Sequence, residues 1–108
     1  MRMLWPIWTL PLVCLMFPCR ADELTELARR GEAVVNELCA PCHAVGPNGE
    51  SPHVGAPAFR HLDRRLDLDT LSERLTEGLT SHHDMPAFRF TRDDARAVAA
   101  YVRAIQGP

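Results

Sequence analysis

Residues 39–43 read Cys39-Ala40-Pro41-Cys42-His43, and this run limits the fold more than any other feature of the chain. Two thiols three positions apart share one turn, with an imidazole beside the second. A disulfide across two residues would be strained and would cross-link almost nothing. A structural zinc needs two further ligands at finger-like spacing, and His82 and His83 are adjacent rather than three to five residues apart. A thioredoxin-like redox pair also places proline between its cysteines, but such a pair follows a strand and opens a helix. The better reading of C-x-x-C-H is covalent attachment of one c-type haem through Cys39 and Cys42. Each thiol then adds to one vinyl group of the same porphyrin, and His43 is carried beneath the ring to the iron.

In bacteria that attachment takes place outside the cytoplasm, which gives the N-terminus a meaning. Arg2 is followed by an apolar run over 4–17, then Pro18-Cys19-Arg20-Ala21 and the acidic Asp22-Glu23. A basic start, an apolar stretch of about 7–15 residues and small residues before the break describe a secretory signal. The run falls short of the roughly 18–20 residues that span hydrocarbon, and Pro6 and Pro11 interrupt it. The expectation is a signal peptide over 1–21, cleavage after Ala21, and a periplasmic domain over 22–108 with no membrane span. An uncleaved anchor is the alternative. Cys14 and Cys19 leave with the leader, so Cys39, Cys42 and Met85 are the only sulfur-bearing residues of the exported part.

The whole chain has 108 residues, 46% of them hydrophobic and 24% charged, as one small globular domain requires. All 12 basic residues are Arg against 14 acidic ones, a formal charge of −2, so nucleic-acid binding has no electrostatic footprint. Without Arg2 and Arg20 the balance is more acidic still. A domain of this size buries only about 60–65% of its unfolded surface and needs a staple or cofactor. Two cysteines two residues apart cannot staple distant segments, whereas a haem can supply the missing core.

Apolar periodicity predicts an all-α fold of about three helices. Leu24, Leu27, Ala28, Val34, Val35 and Leu38 recur at helical spacing over 22–38, with Asp22 suited to the N-cap. Gly31 interrupts that helix at about 1 kcal/mol against Ala, which suits close approach by a second helix. A second helix is expected over 69–79, with Leu71, Leu75 and Leu79 on one face. A third begins at Thr91, where Thr91-Arg92-Asp93-Asp94 is a capping-box variant, and runs to Ile105 before Gly107-Pro108. Residues 46–57 read as loop, and Pro41, Pro47 and Pro52 as loop prolines.

An iron held by His43 has a second axial position. Met85 lies in His82-His83-Asp84-Met85-Pro86, a polar loop without helical apolar spacing, and Pro86 biases it towards an extended conformation. A core-filling role, the usual fate of a single Met, suits that context poorly. Met85 is therefore the expected axial ligand, with His82, His83 or an empty position as alternatives. His53 and His61 read as solvated loop histidines, and Arg60, Arg64 and Arg65 as exposed charges.

From about residue 22 to the C-terminus the chain resembles a small single-haem class I cytochrome c. The resemblance rests on a helix ending in Cys39 to His43, an intervening loop, the Met85 loop and a closing helix. It implies that the first and last helices cross where Gly31 faces Tyr101. The aromatic often found four residues after that glycine is Val35 here, which implies a thinner contact. It further implies that the Pro57 carbonyl accepts the Nδ1 proton of His43 and so fixes the imidazole as a ligand. A lysine-based docking face, known among relatives, has no counterpart in a chain without Lys.

The implied function is one-electron transfer by a periplasmic carrier with His43/Met85 axial ligation, not an enzyme. Closing the roughly 42-residue span from His43 to Met85 through iron is worth about 4 kcal/mol by loop entropy. His/Met ligation favours a comparatively high potential. The implied partners are redox proteins met in weak, transient encounters by a monomer. Two alternatives carry the same site: a permanent cytochrome c subunit of a periplasmic dehydrogenase or oxidase, and a ligand-binding haem protein with a labile sixth ligand.

Overall fold

A computed structural model describes residues 3–4, 20–79 and 84–108 of the chain. The leader therefore lies outside the described residues except at Met3, Leu4, Arg20 and Ala21, and so do His82 and His83. Three α-helices form the frame of the fold: α1 (Arg20–Leu38), α2 (Leu71–Glu77) and α3 (Arg92–Ala104). Two 3-10 turns, Phe59–Arg64 and Leu68–Thr70, connect α1 to α2. No strand occurs among the described residues, and the fold is all-α. An isolated antiparallel bridge joins Leu79 to Phe88.

The first helix starts earlier than its acidic cap signal. Arg20 and Ala21 are already helical, so Asp22 and Glu23 sit in the first turn rather than at the cap. Their charge still complements the positive end of the helix dipole. The second helix is shorter than expected. Residues Leu68–Thr70 take the tighter 3-10 geometry, and Gly78 at φ 102° ends α2 in the left-handed region that a side chain would disfavour. Leu79 accordingly leaves the helix and pairs with Phe88. The third helix begins as its sequence predicts, with Thr91 accepting the Asp94 N–H at 3.2 Å. The Asp94 carboxylate accepts from Arg30 at 2.9 Å and ties α3 to α1.

The α1–α3 crossing is the most extensive contact between elements. A Cβ added to Gly31 would collide with the Ala97 carbonyl and lie 2.9 Å from Tyr101 Cβ, so only glycine allows this approach. Val35, one turn further, is fully buried, and Val102 and Leu71 nearly so. Leu75, Val98, Phe59 and Leu62 complete the centre of the core. Each buried side chain of this size contributes roughly 1.5–3 kcal/mol at most, because the unfolded chain is partly compact.

The C-terminus closes over the first 3-10 turn. Gln106 Nε2 donates to the carbonyls of Phe59 (2.6 Å) and Val102 (2.7 Å), and its Oε1 accepts from the Asp63 N–H at 3.0 Å. Gly107 N–H donates to the Arg60 carbonyl at 3.0 Å. These bonds lock the turn that carries Phe59 to the end of α3.

Candidate functional site

The end of α1 does not unravel into loop. Cys39 and Ala40 N–H groups both donate to the Val35 carbonyl, at 2.9 and 3.0 Å. Cys42 and His43 N–H groups then converge on the Cys39 carbonyl, at 3.1 and 2.9 Å. One continuous turn thus presents both sulfurs and the imidazole. Cys39 and Cys42 are free and half-buried. Burial, followed by the neighbouring Cys42, pushes the Cys39 thiol up to about 11. A thioether carries neither proton nor charge, so the burial that opposes a thiolate does not oppose an attached sulfur.

His43 is oriented from two sides. Its Nδ1 lies 2.7 Å from the Pro57 carbonyl oxygen, and the Phe59 ring packs against it with centroids 4.9 Å apart. A carbonyl oxygen only accepts, so Nδ1 carries the proton and Nε2 keeps a free lone pair. Beyond His43, the Ala44 N–H donates to Ser51 Oγ at 3.0 Å and Phe59 N–H to the Ala44 carbonyl at 2.9 Å. The Tyr101 hydroxyl donates to the Val45 carbonyl at 2.6 Å. Three separate parts of the chain therefore hold the backbone immediately after the imidazole.

Met85 is half-buried and follows a turn at Asp84. The loop that bears it is pinned at its base by the Leu79–Phe88 bridge and by the Phe90 N–H on the Leu75 carbonyl at 3.2 Å. At its tip, Asp84 Oδ2 lies 3.7 Å from His53 Nε2.

The expected site residues thus divide into two bodies, one holding Cys39, Cys42, His43 and Pro57, the other holding Met85. His53 is an exposed loop histidine as expected, and its Nε2 lies 3.7 Å from Asp84 Oδ2. For His61 the expectation needs correction. His61 lies on a 3-10 turn with a buried, unpartnered Nδ1, because Phe59–Arg64 folds against the core instead of remaining open loop. Arg64 and Arg65 are exposed as expected, whereas Arg60 is half-buried, its guanidinium donating to the Gly49 carbonyl at 2.7 Å. Sequence reasoning missed Phe59, Ser51 and Gln106; the only cue was Phe59, a large apolar residue two positions after Pro57.

These residues fit a covalently held haem. Two half-buried sulfurs and an imidazole with its Nε2 free share one turn. Among the described residues no three His, Cys, Asp or Glu side chains converge as a zinc cage requires. The family described as cytochrome c oxidase, cbb3-type, subunit III matches residues 26–102. The chain belongs to this cytochrome c family. Cytochrome c-552 of Bradyrhizobium diazoefficiens is 29% identical over 98 residues, covering 87% of this chain and 92% of that protein. No solved structure matches significantly. Membership implies covalent haem c, and this cytochrome c is a haem c electron carrier. No helix among its described residues is long and apolar enough to cross a membrane.

Proposed function

We propose that this cytochrome c is a periplasmic one-electron carrier with a single haem, held through Cys39 and Cys42 and ligated by His43 and Met85. When bound, haem supplies the Fe(III)/Fe(II) couple. The chain's own residues do the rest. Cys39 and Cys42 tether, and His43 offers Nε2. Pro57 keeps the His43 proton on Nδ1 and makes the imidazole a better donor. Phe59 and the core beneath it exclude water from the imidazole face, and Met85 offers a neutral thioether from the opposite loop. His/Met ligation favours the reduced state relative to bis-His and so raises the potential. The leader over 1–21 exports the chain, and residues 22–108 form the carrier.

The observation that carries this reading is the 2.7 Å contact between His43 Nδ1 and the Pro57 carbonyl. The bond leaves Nε2 as the free donor nitrogen, and it does so on the same turn that carries Cys39 and Cys42, which is the arrangement a haem ligand needs. The test is mass spectrometry and a visible spectrum on protein matured with haem. One haem should remain on a chain beginning at Asp22 after acid–organic extraction, and loss of all haem would refute the attachment. Met85→Ala should keep the haem, lose the iron–sulfur charge-transfer band and bind carbon monoxide. An unchanged oxidised spectrum would move the ligand to His82 or His83.

A second reading draws on the family description, which names an oxidase subunit. A permanent subunit of an oxidase or dehydrogenase would use the same site. Stable co-purification with a larger redox complex would favour it over a free carrier.

A further inference from the structure

His53 is attached to both halves of the site. Its backbone N–H donates to the Cys42 carbonyl at 3.1 Å, which fastens it to the turn that bears the cysteines. Its side-chain Nε2 lies 3.7 Å from Asp84 Oδ2, and Asp84 immediately precedes Met85. The segment that bears Met85 is also fixed where Leu79 bridges Phe88 and Phe90 N–H meets the Leu75 carbonyl. Among the described residues, the His53–Asp84 contact links the residue before Met85 to the turn that carries His43. We propose that His53 is a positioning residue that straps the tip of the Met85 loop to the Cys42 turn and thereby holds Met85 at the iron. This inference rests on the His43/Met85 ligation proposed above.

A ligand supplied by a loop competes with the freedom of that loop, because every residue ordered at the tip costs conformational entropy. A strap formed before ligation removes part of that cost, and Met85 then stays bound for a larger fraction of the time. The pair is about half-exposed, with 42% and 50% of the two side chains accessible, so its effect is modest.

The experiment titrates the ferric holoprotein with imidazole, which competes for the position Met85 takes, and follows the Soret band. His53→Ala keeps the backbone bond to Cys42 and deletes only the side-chain strap. It should lower the apparent Kd for imidazole by about two- to five-fold, the range that an exposed pair supports. Asp84→Asn should also lower it, and adding His53→Ala to Asp84→Asn should bring no further gain. In a Met85→Ala background, His53→Ala should leave imidazole affinity unchanged, since no methionine remains to be held. An unaltered Kd in His53→Ala, or an equal gain in the Met85→Ala background, overturns the strap. If Met85→Ala itself leaves imidazole binding as in the wild type, the ligation reading falls and the strap falls with it. Arg103→Ala, which breaks the exposed pair between the end of α3 and Asp69 and touches neither the Met85 loop nor the Cys42 turn, controls for general destabilisation and should not change the Kd.

Discussion

The Tyr101 hydroxyl donates to the carbonyl oxygen of Val45 at 2.6 Å, joining α3 to the backbone two residues beyond His43. Tyr101 is only 7% exposed, so the helix crossing at Gly31 and the turn that carries Cys39, Cys42 and His43 share one buried hydrogen bond. Tyr101→Phe leaves the Val45 carbonyl without that donor and should cost about 1–3 kcal/mol in denaturant unfolding of the holoprotein. Burial, and secondarily Glu32, raises the phenol above its ordinary value of 10.0. The folded state therefore favours the protonated phenol. Its contribution is complete below about pH 10 and is lost as pH rises through the raised value. Unfolding of Tyr101→Phe should show a flatter alkaline limb than the wild type, and parallel limbs would contradict the assignment.

Gly31 makes a sharper prediction than helix propensity does. Alanine in mid-helix gains about 1 kcal/mol over glycine on propensity alone. At this crossing the new Cβ meets the Ala97 carbonyl, which is backbone and cannot swing away. Gly31→Ala should therefore destabilise by about 1–3 kcal/mol, and Gly31→Val by more. A stabilised Gly31→Ala, read from its urea midpoint, would place α3 further from α1.

Much of this fold was legible because its signals are local. Thr91 and Asp94 lie three residues apart and declare the start of α3, and Gly31 inside an apolar period declares a close approach. Cys39, Cys42 and His43 announced their own turn. Gly78 ends the second helix, whereas the apolar period continues through Leu79 and so extends the expected helix one residue too far. What escaped notice depends on partners distant in sequence. Gln106 reaches Phe59 across 47 positions, and nothing near either residue says so. The 3-10 turn Phe59–Arg64 has too few residues to show a period. His53 reads as an ordinary loop histidine until the chain brings Asp84 to it.

The Gln106 clamp yields a prediction of its own. One amide satisfies the Phe59 and Val102 carbonyls and the Asp63 N–H. Gln106→Ala should cost about 1–3 kcal/mol, since the part-buried Phe59 carbonyl loses this donor. Hydrogen exchange at Asp63 should quicken more than exchange at Val98 in mid-α3. Uniform quickening along both would mean that the clamp stabilises the whole fold and does not act on the turn beneath His43.

Partner docking follows from how the arginines are used. The chain is formally −2 with no Lys, and removal of the proposed leader over 1–21 would leave ten Arg against 14 acidic residues. Four of those arginines are engaged locally: Arg29 with Glu26, Arg30 with Asp94, Arg60 with the Gly49 carbonyl and Arg103 with Asp69. Three of the four pair with a carboxylate, Glu26, Asp94 or Asp69, which cancels their charge locally. Haem propionates add further negative charge. Long-range attraction to a strongly acidic partner is therefore opposed by the global charge, and a focused patch is lacking among these four. Encounters with redox partners should be led by apolar contact and should show a mild dependence on salt. The measurement is the bimolecular electron-transfer rate with a physiological partner across ionic strength, where charges are screened over about 10 Å at 0.1 M. A rate that falls steeply with added salt would reveal a steering patch built from the remaining arginines or from the acidic residues, and would overturn this expectation.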